Sequence, residues 1–191
     1  NILEIKLKLK IIMMLFIGLI TNACANLQPV KTPAITTYTI DTVPVISSYA
    51  QRSNKILLIA TPTAEPSYNK KQMIYTDMPY ELKTFGRSEW SAPPAQLLQP
   101  LLAQSFSQTD YFHAVVAAPY TGQSDYRLEI RLITLHQNFS QQPSEIQMAI
   151  QARVMNHRTQ RVIADKLFTT TMHVNIDSPR GGAQAANEAT S

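Results

Sequence analysis

The chain has 191 residues and a single cysteine, so no internal disulfide can staple it, and a small secreted cystine scaffold is excluded. It has only five glycines and no glycine-rich run of the kind that cradles phosphate, which removes the commonest nucleotide-binding loops. The four histidines, His113, His136, His157 and His173, have no acid at metalloprotease spacing and no second cysteine beside them. A metal site needs three or four converging ligands, so no metal or other cofactor is expected. The segment Gly86-Arg87-Ser88-Glu89-Trp90 is half of a nucleophile elbow, without the second glycine or a preceding buried strand. Asp77, Glu81 and Glu89 are scattered carboxylates without a partner base, so no catalytic residues are assigned and the chain reads as a non-enzyme.

Long apolar runs are also absent, with one short exception. Residues 11–20 read Ile-Ile-Met-Met-Leu-Phe-Ile-Gly-Leu-Ile, about half of the roughly 20 apolar residues needed to cross a bilayer core. Lys6, Lys8 and Lys10 precede the run, and Thr21-Asn22-Ala23 and then Cys24 follow it. A positive leader, a short apolar stretch and small residues before a cut make a secretory signal. A cut directly before cysteine resembles a bacterial lipobox, in which the thiol receives a diacylglyceryl group and becomes the mature N-terminus. Residues 1–23 are therefore expected to be a lipoprotein signal peptide, with Cys24 as the lipidation site. Two or three acyl chains would hold the protein to a membrane essentially permanently. Ala25 rather than aspartate after the cysteine favours sorting to the outer membrane, facing the periplasm.

Charge gives no nucleic-acid signal. The formal charge of +4 falls to +2 once Lys6, Lys8, Lys10 and Glu4 are removed, and no basic stripe with interleaved aromatics remains. Residues 24–37 contain Pro29 and Pro33 without apolar periodicity and are expected to be a flexible tether. Residues 38–191 would then form one domain.

Strands are expected at 38–40, 55–61, 72–76, 81–85 and 112–117. A helix is expected at about 95–108, where Leu97, Leu98, Leu101, Leu102 and Phe106 recur at helical spacing. Pro100 requires that helix to begin near Leu97 or to kink. The apolar face of Leu97, Leu101 and Phe106 is expected to cover a sheet rather than form a lipid groove. Tyr126, Leu128, Ile130 and Leu132 alternate with charged residues, and the apolar phase then moves to Ile133 and Leu135, which implies a bulge or a change of covered face. Ile146, Met148, Ile150, Ala152 and Val154 alternate likewise, and residues 162–174 return after a polar turn. The reading is α+β: one mostly antiparallel sheet ending in a three-strand meander, with one or two helices on a face. Residues 183–191 have a helical composition without a complete apolar face, and the sequence given stops there.

Trp90, beside Pro93-Pro94, is expected to anchor its loop on the core. The alternative is an exposed partner-binding patch of Trp90, Tyr75, Met78 and Tyr80.

Several stretches carry a family resemblance: Ile-Leu-Leu-Ile-Ala-Thr-Pro (56–62), Met-Ile-Tyr-Thr-Asp-Met-Pro-Tyr-Glu-Leu (73–82) and Ser-Glu-Trp-Ser-Ala-Pro-Pro (88–94). Asp-Tyr-Arg-Leu-Glu-Ile-Arg-Leu (125–132) and Arg-Val-Ile-Ala-Asp-Lys-Leu-Phe (161–168) continue it in the same order. Together they resemble the ABC-type transport auxiliary lipoproteins, including the paraquat-inducible protein C-like group. The resemblance implies an outer-membrane lipoprotein working with an inner-membrane ABC transporter and an MCE-domain protein in envelope lipid transport, and it brings no catalytic residues. A homo-oligomeric ring is compatible with such a role. Two other readings compete: an assembly or pilot lipoprotein for an outer-membrane complex, and a hydrolase using Ser88.

Overall fold

The computed structural model describes residues 2–21, 33–44, 46, 48 and 50–190. The chain divides into two units, residues 1–34 and 35–191. The first contains helix α1, Ile2–Thr21, which includes the lysine leader and the apolar run. Among the described residues no helix is long and apolar enough to cross a membrane. Cys24 and most of the expected tether lie outside the described residues.

In the second unit the strands follow the apolar runs. In chain order they are β1 (Thr36–Tyr38), β2 (Ile56–Ile59), β3 (Thr63–Ala64), β4 (Gln72–Thr76) and β5 (Lys83–Trp90). Helix α2 (Pro94–Gln108) leads to β6 (Ala114–Ala117), and then come β7 (Tyr126–Asn138), β8 (Glu145–Asn156), β9 (Val162–His173) and helix α3 (Pro179–Ala189).

β7 organises the sheet. Its 13 residues pair antiparallel with β8 along their whole length, and β8 pairs antiparallel with β9, giving the expected meander. Its other edge takes three short strands in succession, all parallel to it. β2 lies against Tyr126–Leu128, β3 against Arg131–Leu132, and β4 against Gln137–Asn138. β6 adds outside β2, while β5 and then β1 add outside β4. Antiparallel pairing dominates by length, but β2, β3 and β4 run parallel to β7, and β1 runs parallel to β5. The register along β7–β8 shifts between Leu132 and Thr134, where the sequence changes apolar phase. The bulge lets Leu135 and Gln137 face the same side as Leu132.

α2 starts at Pro94, three residues before the first leucine, and Pro100 lies inside it. A proline at the first helical position gives up an N–H that would have no partner in any case. α3 is capped by Ser178, whose Oγ accepts from the Gly181 N–H at 3.1 Å. Its buried face is Gly181, Gly182, Ala183, Ala185 and Ala186. The face lacks large apolar residues because the helix sits so close to the sheet that only small ones fit.

Candidate functional site

The pairings of β8 with β9 set Val154 opposite Ala164, Ala152 opposite Lys166, Ile150 opposite Phe168 and Met148 opposite Thr170. Directly opposed residues share a face and alternate residues repeat it, so these side chains form one predominantly apolar surface. α2 brings Leu98, Leu101, Leu102 and Phe106 to its margin, and the C-terminal end of α3 brings Ala189 and Thr190. Leu98 is buried, but Leu101, Leu102 and Phe106 are only half-buried. The leucine face of α2 therefore covers part of the sheet and leaves part of itself open, which corrects the expectation that it is simply core. Between the helices lies a groove of about 650 Å³. Ligand sites generally fall in the range of about 300–1,000 Å³.

Among the described residues one charged residue, Lys166, lines the groove, and its Nζ lies 4.8 Å from the centroid of the Phe168 ring. Its stem can lie along apolar surface while the ammonium reaches water. Among the described residues the lining contains no histidine, carboxylate or thiol, and its Ser105 Oγ donates to Leu101 O at 2.8 Å. The opposite face of the hairpin is polar. There Arg153 forks onto Asp165 at 2.8 and 3.0 Å and Gln151 Nε2 donates to the same carboxylate. The Arg153 guanidinium holds the Asp165 carboxyl below its usual range. The groove has the size and the lining to hold an apolar group.

Of the four residues expected as a partner patch, the structure brings two together at one turn. Trp90 is only 3% exposed and belongs to the main core, as the anchoring reading expected. Tyr75 is half-buried in an aromatic cluster with Phe85 at 4.6 Å and Phe139 at 5.7 Å. Met78 and Tyr80 stand exposed in the β4–β5 turn. Ser88 is a buried residue of β5, not the apex of a turn, because β5 runs on to Trp90 rather than ending near Phe85.

The histidines are separate. His136 Nδ1 lies 2.9 Å from the Tyr68 hydroxyl, His157 Nδ1 is 2.5 Å from Ser124 Oγ, and His173 is 3.3 Å from Glu145. Burial pushes the His136 pKa down and the Tyr68 pKa up. Among the described residues no three metal-ligating side chains converge. The β9 half of the groove was the part sequence reasoning missed. Its signal was the opposition of Ala164 and Phe168 to the alternating apolar residues of β8.

The domain is thus an open α+β sheet with two helices on one face and a mostly apolar groove between them. Its family follows from comparison with known proteins. The model of the ABC-type transport auxiliary lipoprotein component matches residues 38–191, and the chain belongs to that family. Among solved structures it is similar to protein XCC0632 from Xanthomonas campestris, at 22% identity and a TM-score of 0.70, covering 82% of this chain and 88% of that one. A second solved structure, an uncharacterized protein, matches at 13% identity and a TM-score of 0.58, covering 83% of this chain and 97% of that one. These likenesses concern the fold alone. A comparison with curated proteins finds no match.

Proposed function

We propose that this protein is a non-enzymatic periplasmic auxiliary lipoprotein of an envelope lipid-transport system, working with an inner-membrane ABC transporter and an MCE-domain protein. In this reading residues 1–23 are removed as a signal and Cys24 carries the lipid that holds the domain at the outer membrane. The observation that carries the proposal is the groove between α2 and β8–β9, lined mostly by apolar side chains and, among the described residues, by a single charged one, Lys166, in a chain of the transport auxiliary family. Such a lining suits an acyl chain, since each buried methylene contributes about 0.8 kcal/mol. A single ammonium at the wall suits an anionic or zwitterionic headgroup. Hydrolysis has no comparable support, because Ser88 is buried within a strand.

The test is lipid movement in cells. Deleting the gene should slow transfer of a labelled glycerophospholipid between the two membranes. The wild-type chain should restore transfer, and a Cys24→Ala chain should not. Unchanged transfer in the deletion strain would remove the lipid-transport reading.

A further inference from the structure

The strand directions place several exposed apolar residues at one end of the sheet. β4 runs parallel to β7, with Thr76 opposite Asn138, so the β4–β5 turn lies at the same end as the β7–β8 turn. β9 finishes there too, with His173 opposite Glu145, and exposed Ile176 follows. The β4–β5 turn carries Met78, 58% exposed, Tyr80, fully exposed, and Leu82, 50% exposed. β1 is parallel to β5 and so points away from this end, beginning at Thr36 opposite Ser88, five residues along β5 from Lys83. Only twelve residue steps separate Cys24 from Thr36. Fully extended they span at most about 40 Å.

The turn is held in shape. Lys83 Nζ lies 2.8 Å from Asp77 Oδ1 and 3.0 Å from Glu81 Oε2, bracketing the apolar residues with a closed ionic clamp. The Thr76 hydroxyl donates to Met78 O at 2.8 Å. Tyr80 has φ of 68°, a left-handed conformation that a bulky aromatic residue seldom adopts. Strain of this kind persists where the surroundings over-determine it and is concentrated at functional positions.

We infer that this turn is a second membrane contact, in which Met78, Tyr80 and Leu82 dip into the headgroup zone of the leaflet that holds the Cys24 lipid, fixing the orientation of the domain. The inference rests on the lipid anchor proposed above. A lipid surface fits better than a protein partner because the turn offers only three exposed large apolar side chains, Met78, Tyr80 and Leu82. A standard protein interface needs about 800 Å² from each side, whereas a bilayer accommodates a protruding tip without a matching pocket. Tyrosine, apolar in body and polar at its tip, is a side chain of the membrane interface. The clamp leaves the turn with one net negative charge, which suits a neutral or zwitterionic surface over a strongly anionic one.

The experiment uses the full lipidated protein in phosphatidylethanolamine/phosphatidylcholine vesicles. A thiol-reactive fluorophore is placed on Tyr80→Cys, or on Thr159→Cys in the β8–β9 turn at the opposite end of the sheet. Flotation with the vesicles reports the anchor, and quenching by a lipid spin-labelled near the headgroup reports the contact. The fluorophore at 80 should be quenched at least about threefold more than that at 159, as for a group within the outer 5–10 Å of the bilayer. Adding Met78→Ser and Leu82→Ser should remove most of that difference. Protein that floats with equal quenching at both positions would overturn the membrane contact while leaving the anchor standing. Shielding at 80 that appears only when an MCE-domain protein is added would also overturn it, in favour of a protein interface. Protein that fails to float would overturn the contact and the anchor together.

Discussion

Gln137 and Gly182 fit against each other so closely that a methyl group on residue 182 would run into the Gln137 Oε1. Gln137 is 1% exposed, and its Nε2 donates to the Ser144 Oγ at 2.7 Å. The amide therefore cannot simply swing away. This contact brings α3 against the meander and so sets one wall of the groove.

Gly182→Ala should destabilise the domain by about 1–3 kcal/mol, the usual result of forcing extra volume into a packed site. Chemical denaturation measures it. A substitution at Gln184, exposed on the same helix, should stay within about 0.5 kcal/mol. Equal effects at 182 and 184 would contradict the close-approach reading of α3.

Trp90 and Tyr80 should separate in the same measurement. Trp90→Ala removes a core anchor and is expected to cost about 3–5 kcal/mol. Tyr80→Ala, at a fully exposed turn position, should change stability by no more than about 0.5 kcal/mol.

Much of this was legible in the chain, for reasons that differ by element. The alternations at Tyr126–Leu132 and Ile146–Val154 report a local period and marked their strands directly, and the change of phase at Ile133 marked the bulge. The parallel placement of β2, β3 and β4 along a single edge of β7 was not legible, because it depends on contacts distant in sequence. β5 was expected to end near Phe85, since Gly86-Arg87-Ser88 reads locally as a loop, yet pairing with β1 and β4 carries it on to Trp90. The groove was hidden for a related reason. Alternation says which face of a strand is apolar, but only tertiary structure shows that neither α2 nor α3 covers it. α3 was undervalued because glycine and alanine are weak apolar signals, although close approach makes them the right ones.

Filling the groove should block ligand without unfolding the protein. Ala152 lies on β8 between Ile150 and Val154 and is half-buried in the lining. Ala152→Phe should weaken binding of a fluorescent fatty acid at least about tenfold, equivalent to some 1.4 kcal/mol, with little change in the unfolding midpoint. Retained binding would place the acyl site elsewhere.

Stability should fall with acidification in two separate windows. Burial lowers the His136 pKa from its ordinary 6.5, against a smaller opposing contribution from Gln147, so the unfolded chain binds its proton more readily than the folded one. Stability from this group is complete above pH 6.5 and declines as pH drops toward the folded value. Asp77, Asp125, Asp165 and Asp177 all have lowered pKa values, with causes led by Lys83, the Ile56 N–H, Arg153 and Ser144 respectively. They contribute above their ordinary 3.8, and that contribution is lost as pH falls further. His136→Gln should flatten the thermal-melt profile between about pH 5 and 7 and leave the decline below pH 4 in place. A profile unchanged by the substitution would show that His136 titrates normally.

The role assigned to the protein is tested most directly by affinity isolation from its native envelope after mild cross-linking, followed by identification of the recovered proteins. The account predicts an MCE-domain protein and the permease of an ABC transporter, enriched together with the wild-type chain and lost with Cys24→Ala. Recovery of a secretin or an outer-membrane β-barrel complex, without either transporter component, would contradict it.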